Sequence, residues 1–145
     1  MSKPHSYILL LWAAGFDEAA ASIFVTELRQ AGRQVKVISL TRRQTRGAHG
    51  LALVPDLTLS QAFPLLPQTS HLIIPADSLH LHRLANDPSL VDFLEQARGH
   101  DISILLQPGG DGFEPGACDL AATAGYYPVE SAQLVEFVQE IGLPD

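Results

Sequence analysis

Cysteine occurs once in this sequence, at Cys118, which excludes an internal disulfide and any cysteine-rich zinc site built from one chain. Long apolar runs are missing. The longest, Ile8 to Ala14, falls well short of the roughly 20 residues a membrane-spanning helix needs. The N-terminus, Met1 to Ser6, leads into that run, but no signal-peptide stretch ending in a small-residue cleavage site follows. Basic residues are scarce: nine Lys and Arg face sixteen Asp and Glu, a net charge of −7. That deficit argues against nucleic-acid binding, which depends on neutralising phosphates. Charged residues make up only 17% of the chain and hydrophobic ones 46%, a globular composition and not a disordered one. A soluble, cytoplasmic, single-domain protein spanning residues 1–145 is expected, with no membrane segment and no nucleic-acid partner.

Hydrophobic patterning supplies the fold class. Tyr7 to Trp12 is a continuous apolar run ended by Ala13-Ala14-Gly15 and reads as a strand buried on both faces. Asp17 and Glu18 open a helix whose apolar positions are Ala20, Ile23, Phe24, Leu28 and Ala31, with Gly32 at its end. Val35 to Leu40 predicts a second strand and completes a right-handed βαβ unit. Thr41 to Gly50 reads as polar loop, Leu51 to Pro55 as a short strand, and Leu57 to Phe63 as one helical turn. His71 to Pro75 predicts another buried strand, and Ala76 to Asn86 a loop or short helix. Asp87 caps a helix that starts at Pro88 and stops at Gly99, and Ile102 to Leu106 predicts a fourth strong strand. Gln107 to Gly116, with four glycines and two prolines, is loop. A short helix over Ala117 to Ala124, an edge strand over Tyr126 to Val129 and a last helix over Ser131 to Ile141, capped by Ser131, complete the chain. The alternation predicts an α/β three-layer sandwich with a central, mostly parallel, flavodoxin-like sheet.

Three stretches carry a resemblance to a known family. They are Ile8 to Leu40, Gly47 to Ala62 (GAHGLALVPDLTLSQA, with its Pro55-Asp56 pair), and His71 to Leu106. Together they resemble the ThiJ/PfpI superfamily, the class I glutamine amidotransferase-like fold, over about two thirds of the chain. The remainder matches only in outline, and the chain resembles a shortened member. Active members share a carboxylate in the first helix, a Gly-Gly pair whose N–H groups help bind an oxyanion, and a nucleophilic Cys on a sharp strand-to-helix turn. The first position falls on Ala20, with Glu18 two residues earlier on another face of the helix. The second falls on Ala76-Asp77, after a retained Pro75. The third falls on Leu106 or Gln107 read without a gap, or on Glu114 read with one. Cys118 lies about four residues into the following helix in the gapped register.

Other clusters have both a chemical and a structural reading. Cys118 is either a displaced nucleophile or a small core residue, and Asp119 beside it opposes a thiolate. His80 and His82 share a face if their segment is extended and then offer two metal ligands, with His49, His71, His100 or Asp77 as further donors; otherwise they are loop histidines. Arg42, Arg43 and Arg46 form a small basic patch, either an anion site or a solvated loop. The glycine-rich segment from Gln107 to Gly112 lacks the Lys and Ser/Thr of a phosphate loop, and Asp111 would oppose a phosphate. Trp12, Tyr126 and Tyr127 line a pocket at the sheet edge or belong to the core.

The resemblance and its gaps imply a non-catalytic binding or protein-interaction module, as a homodimer, with no cofactor and no metal. The expected crevice for a small molecule or protein partner is lined by Trp12, Gly15, Glu18, Asp77 and Gln107, at the C-terminal ends of the strands. The alternative is a hydrolase or glyoxalase-like lyase acting on a small carbonyl compound through Cys118 or Glu114.

Overall fold

The computed structural model describes residues 6–41, 44–84, 86–108 and 125–143. Six strands form one sheet in the order β5-β2-β1-β6-β7-β8, and every pairing in it is parallel. The strands are β1 (Tyr7–Trp12), β2 (Gln34–Ser39), β5 (Leu57–Thr58), β6 (Thr69–Ile74), β7 (Ser103–Leu106) and β8 (Gly125–Tyr126). The four apolar runs read from the sequence are therefore adjacent, with β1 and β6 at the centre. Ile8 to Trp12 are fully buried, as required of a strand covered on both faces.

Crossover connections, right-handed as a rule, place the helices. The chain leaves β1 through α1 (Glu18–Gln30) to reach β2 on one side. It leaves β6 through α3 (Ser78–Leu84) and α4 (Pro88–Gly99) to reach β7 on the other. Opposite directions with one handedness put α1 and α4 on opposite faces of the sheet. The final helix, α5 (Ser131–Gly142), packs against α1, and Gly142 fits so closely that an added Cβ would lie 3.0 Å from Ala31 Cβ. Phe24 of α1 meets Tyr127 edge-on at 5.2 Å on that side, and Phe63 meets Phe93 of α4 at 5.1 Å.

Local chemistry accounts for the helix ends. Asp17 caps α1 by accepting from the N–H groups of Ala19 and Ala20, and Asp87 caps α4 from Ser89 and Leu90. Gly99 is the last residue of α4, but the left-handed turn after the helix falls on Asp101, at φ 57°. Aspartate tolerates that region better than most residues with a Cβ.

Several sequence expectations are corrected. The Thr41 to Gly50 loop contains a strand, β3 (Thr45–Arg46), which pairs antiparallel with β4 (Ala52–Leu53) as a separate two-stranded sheet. The Leu51 to Pro55 segment thus stays out of the main sheet, because β5 occupies the neighbouring edge of β2. The predicted helical turn over Leu57 to Phe63 begins as that strand. Thr58 then starts α2 (Leu59–Ala62) through a reciprocal capping box with Gln61, and Pro64 lies in a 3-10 turn over Phe63–Gln68. Ser131 does not cap α5; Glu130 occupies the cap position and makes no side-chain cap bond. Ala31 is exposed and not part of the apolar stripe of α1. The short helix expected over Ala117 to Ala124 lies outside the described residues. Among the described residues, no helix is long and apolar enough to cross a membrane.

Candidate functional site

The two crossover directions diverge between β1 and β6. Open parallel sheets are expected to have a crevice where loops leave neighbouring strands toward opposite faces, at the C-terminal ends. Backbone bonds join the strand exits there. The Asp17 N–H donates to the Pro75 carbonyl at 2.8 Å, tying the start of α1 to the end of β6. The Gln107 N–H donates to the Ala76 carbonyl at 3.0 Å, and the Tyr127 N–H to the Leu106 carbonyl at 3.1 Å. The exits of β1, β6, β7 and β8 thus form one continuous rim.

On one side of the rim stands Glu18, 6% exposed despite its charge. Its carboxylate accepts from the backbone N–H groups of His49 (2.8 Å) and Leu51 (3.1 Å), and Oε1 lies 3.0 Å from His49 Nδ1. Burial alone would raise its pKa. Bonds from its own backbone N–H, the His49 ring and the N–H groups of His49 and Leu51 outweigh that and hold it at about 2, down from 4.5. Gly47 is required beside it, since a Cβ there would meet Glu18 Oε2 at 2.6 Å and the Phe16 carbonyl at 2.8 Å. The carboxylate therefore clamps the β3–β4 hairpin onto the start of α1.

At the other side, Asp77 Oδ1 accepts from the His80 N–H at 2.8 Å and fixes the first turn of α3. The His80 ring lies edge-on to Phe16 at 5.2 Å, with Nε2 3.0 Å from the Ala14 carbonyl. Gly15 passes beneath it with φ 81°, and an added Cβ would lie 2.8 Å from His80 Cε1.

Between α1, α5 and the ends of β7 and β8 lies a cavity of about 30 Å³, lined by Asp17, Ala20, Gln107, Tyr127 and Ser131 among others. Tyr127 is 2% exposed, and its hydroxyl has no hydrogen-bond partner among the described residues. Burial, then the negative charges of Asp17 and Asp77, push its pKa far up, so it stays protonated.

The residues read from the sequence separate at this site. Gln107 lines the cavity. Trp12 is fully buried, with Nε1–H donating to the Thr45 carbonyl at 2.9 Å, and so supports the wall from behind. Gly15 shapes the turn after β1, Glu18 faces the hairpin, and Asp77 caps α3. Of the other aromatics, Tyr127 lines the cavity and Tyr126 is exposed. Asp17 entered the sequence reading only as a helix opener. The signal for its second role was its place at the exit of the central strand. The His80–His82 pair falls on helical α3, not on an extended segment, so the two rings point to different faces. No group of three His, Cys, Asp or Glu that could hold a metal occurs among the described residues. Arg46 Nη1 donates to the Gly50 carbonyl, while Arg42 and Arg43 lie outside the described residues.

No family model and no curated protein matches the sequence. Solved structures do match. Toxoplasma gondii DJ-1, in an oxidised form, superposes with a TM-score of 0.73 at 16% identity, over 94% of this chain and 88% of that one. Drosophila melanogaster DJ-1beta gives 0.70 at 15% over the same shares. A DJ-1 superfamily protein from Salmonella typhimurium, a cysteine-to-alanine mutant, gives 0.68 at 18%, again over 94% and 88%. The chain has the DJ-1/ThiJ/PfpI fold.

The resemblance sets its three positions on Ala20, on Ala76-Asp77, and on Leu106 or Gln107 without a gap or Glu114 with one. Ala20 and Gln107 line the cavity, and Leu106 is fully buried. Ala76 follows β6, and its N–H is engaged with the Ile74 carbonyl at 2.8 Å. Glu114 and Cys118, the two displaced candidates, lie outside the described residues.

Proposed function

We propose that this chain is a non-catalytic member of the DJ-1/ThiJ/PfpI superfamily, a cytoplasmic binding or protein-interaction module that uses the strand-end crevice. The observation that carries the reading is the lining of the cavity. Ala20 stands where the resemblance calls for a carboxylate, and Leu106 or Gln107 where its ungapped register calls for a thiol. None of these side chains can supply a nucleophile or remove a proton from one. Two further features support it. The Ala76 N–H is spent within its own turn, and Asp77 brings negative charge where an oxyanion would have to form. The crevice itself persists, because backbone bonds between strand exits hold it and no catalytic side chain does.

A homodimer belongs to the same reading. It rests on the resemblance and on apolar side chains left at the surface, Leu51 and Val54 on either side of β4 and Val129 after β8. Light scattering should give about twice the 15.7 kDa chain mass. The purified protein should turn over no small carbonyl compound, amide or peptide above the uncatalysed rate. A turnover that vanishes in folded Cys118→Ser or Glu114→Gln would overturn the reading in favour of a hydrolase or glyoxalase-like lyase.

A further inference from the structure

We propose that the outer edge of β2 is a strand-pairing surface for a second copy of this chain, and that Arg29 and Asp56 hold it closed. The inference goes beyond the crevice and does not depend on it.

A strand at a sheet edge offers its outward N–H and C=O groups to any further strand. β1 lines one side of β2 along its whole length, whereas β5 pairs only with Ile38 and Ser39 on the other. The outward groups beyond β5 lie on Val35 and Val37, and side chains meet them. The Val35 carbonyl accepts from Arg29 Nη2 at 2.9 Å, and the Val37 N–H donates to Asp56 Oδ2 at 2.8 Å. The Asp56 N–H donates to the Val37 carbonyl at 2.8 Å, and Arg29 Nη2 lies 2.9 Å from Asp56 Oδ2 as an ion pair. A carboxylate thus stands where the carbonyl of a neighbouring strand would, and a guanidinium where its N–H would. The two side chains are 47% and 37% exposed. An ion pair so exposed adds little to folding stability, so its alignment on the two edge groups is the informative feature.

The same geometry selects the partner. Freed from these bonds, the Val35 carbonyl and the Val37 N–H lie two residues apart on one edge. An antiparallel neighbour needs a carbonyl and an N–H at that spacing, and a second β2 related by a two-fold axis supplies both. The Val37 N–H of each copy then meets the Val35 carbonyl of the other, with Lys36 opposite its own counterpart between them. That like-charge pair opposes the contact, so Lys36 reinforces what Arg29 and Asp56 do.

The test compares wild type, Lys36→Thr, and Lys36→Thr combined with Asp56→Ala, by light scattering and hydrogen exchange from micromolar to millimolar concentration. Mass is read relative to wild type, so the result does not hinge on whether the wild type is a homodimer. Lys36→Thr alone should keep the wild-type mass, because the edge stays occupied. The double variant should at least double that mass as concentration rises, with native circular dichroism. Its Val37 amide should exchange freely when dilute and become protected on association. Arg29→Met changes an exposed position of α1 and should fold even where Asp56→Ala does not. Combined with Lys36→Thr it should associate too, at higher concentration, since Asp56 still holds the Val37 N–H. Wild-type mass in every folded double variant overturns the inference. So does association without protection at Val37, which places the contact elsewhere. Trp12→Ala, destabilised but with its edge closed, should keep the wild-type mass. Equal self-association there would trace the effect to lost stability and overturn the inference as well.

Discussion

Trp12→Ala is expected to remove about 3–5 kcal/mol of folding stability. A domain of this size has roughly 5–15 kcal/mol in total, so the variant should be partly unfolded at modest denaturant. Trp12 is fully buried at the end of the central strand. Its ring lies edge-on to Phe16 at 6.3 Å, and Nε1–H donates to the Thr45 carbonyl. Alanine leaves a large void between the main sheet and the β3–β4 hairpin and also removes the bond that crosses it. Trp12→Phe separates the two effects by keeping most of the packing, and should cost clearly less. Because Trp12 is the only tryptophan, urea unfolding of the variants is best followed by circular dichroism. A cost below about 1 kcal/mol for Trp12→Ala would mean that the residue does not knit these layers together.

The second large effect is acid-dependent. Glu18 has a folded pKa of about 2 against 4.5 in its ordinary state. A group whose folded pKa is depressed contributes stability that is fully present above the unfolded value and is lost as pH falls through the folded one. Stability should therefore drop between about pH 4.5 and pH 2, and the drop should begin at the hairpin. Protonating the carboxylate weakens its hold on the N–H groups of His49 and Leu51. Hydrogen exchange should show those two amides losing protection in this window before the amides of β1 do. Glu18→Gln should loosen the same amides already at neutral pH, because a neutral amide oxygen accepts from the two N–H groups less strongly than the carboxylate Oε2 does. That variant should also lack the Glu18 share of the acid transition. Equal protection of His49 and Leu51 at pH 6 and pH 3 would contradict the clamp.

Pattern strength decided what could be read without coordinates. Ile8 to Trp12, Leu72 to Ile74 and Ile104 to Leu106 are continuous apolar runs, and such runs are stable only as strands covered on both faces. Asp87 caps its helix as expected, and Asp17, read from the sequence as an acidic helix opener, turns out to be the cap of α1. The region from Thr41 to Gln68 was harder. Its strands are two residues long, too short for any periodicity, and their pairing depends on which edge of β2 remains free.

The sequence by itself determined the parallel α/β sheet and the order of its main elements, because apolar runs and caps are local signals. Only the tertiary structure decided which side chains line the cavity between α1 and α5. Glu18 and Ala20 are two residues apart on one helix, yet one grips a hairpin and the other lines a cavity. Trp12 looked like a pocket wall and is core, since the hairpin covers it. Tyr127 comes from the far end of the chain and meets Asp17 across the interface between α1 and α5. Such meetings depend on how helices seat against a twisted sheet, and distance along the chain carries no record of that.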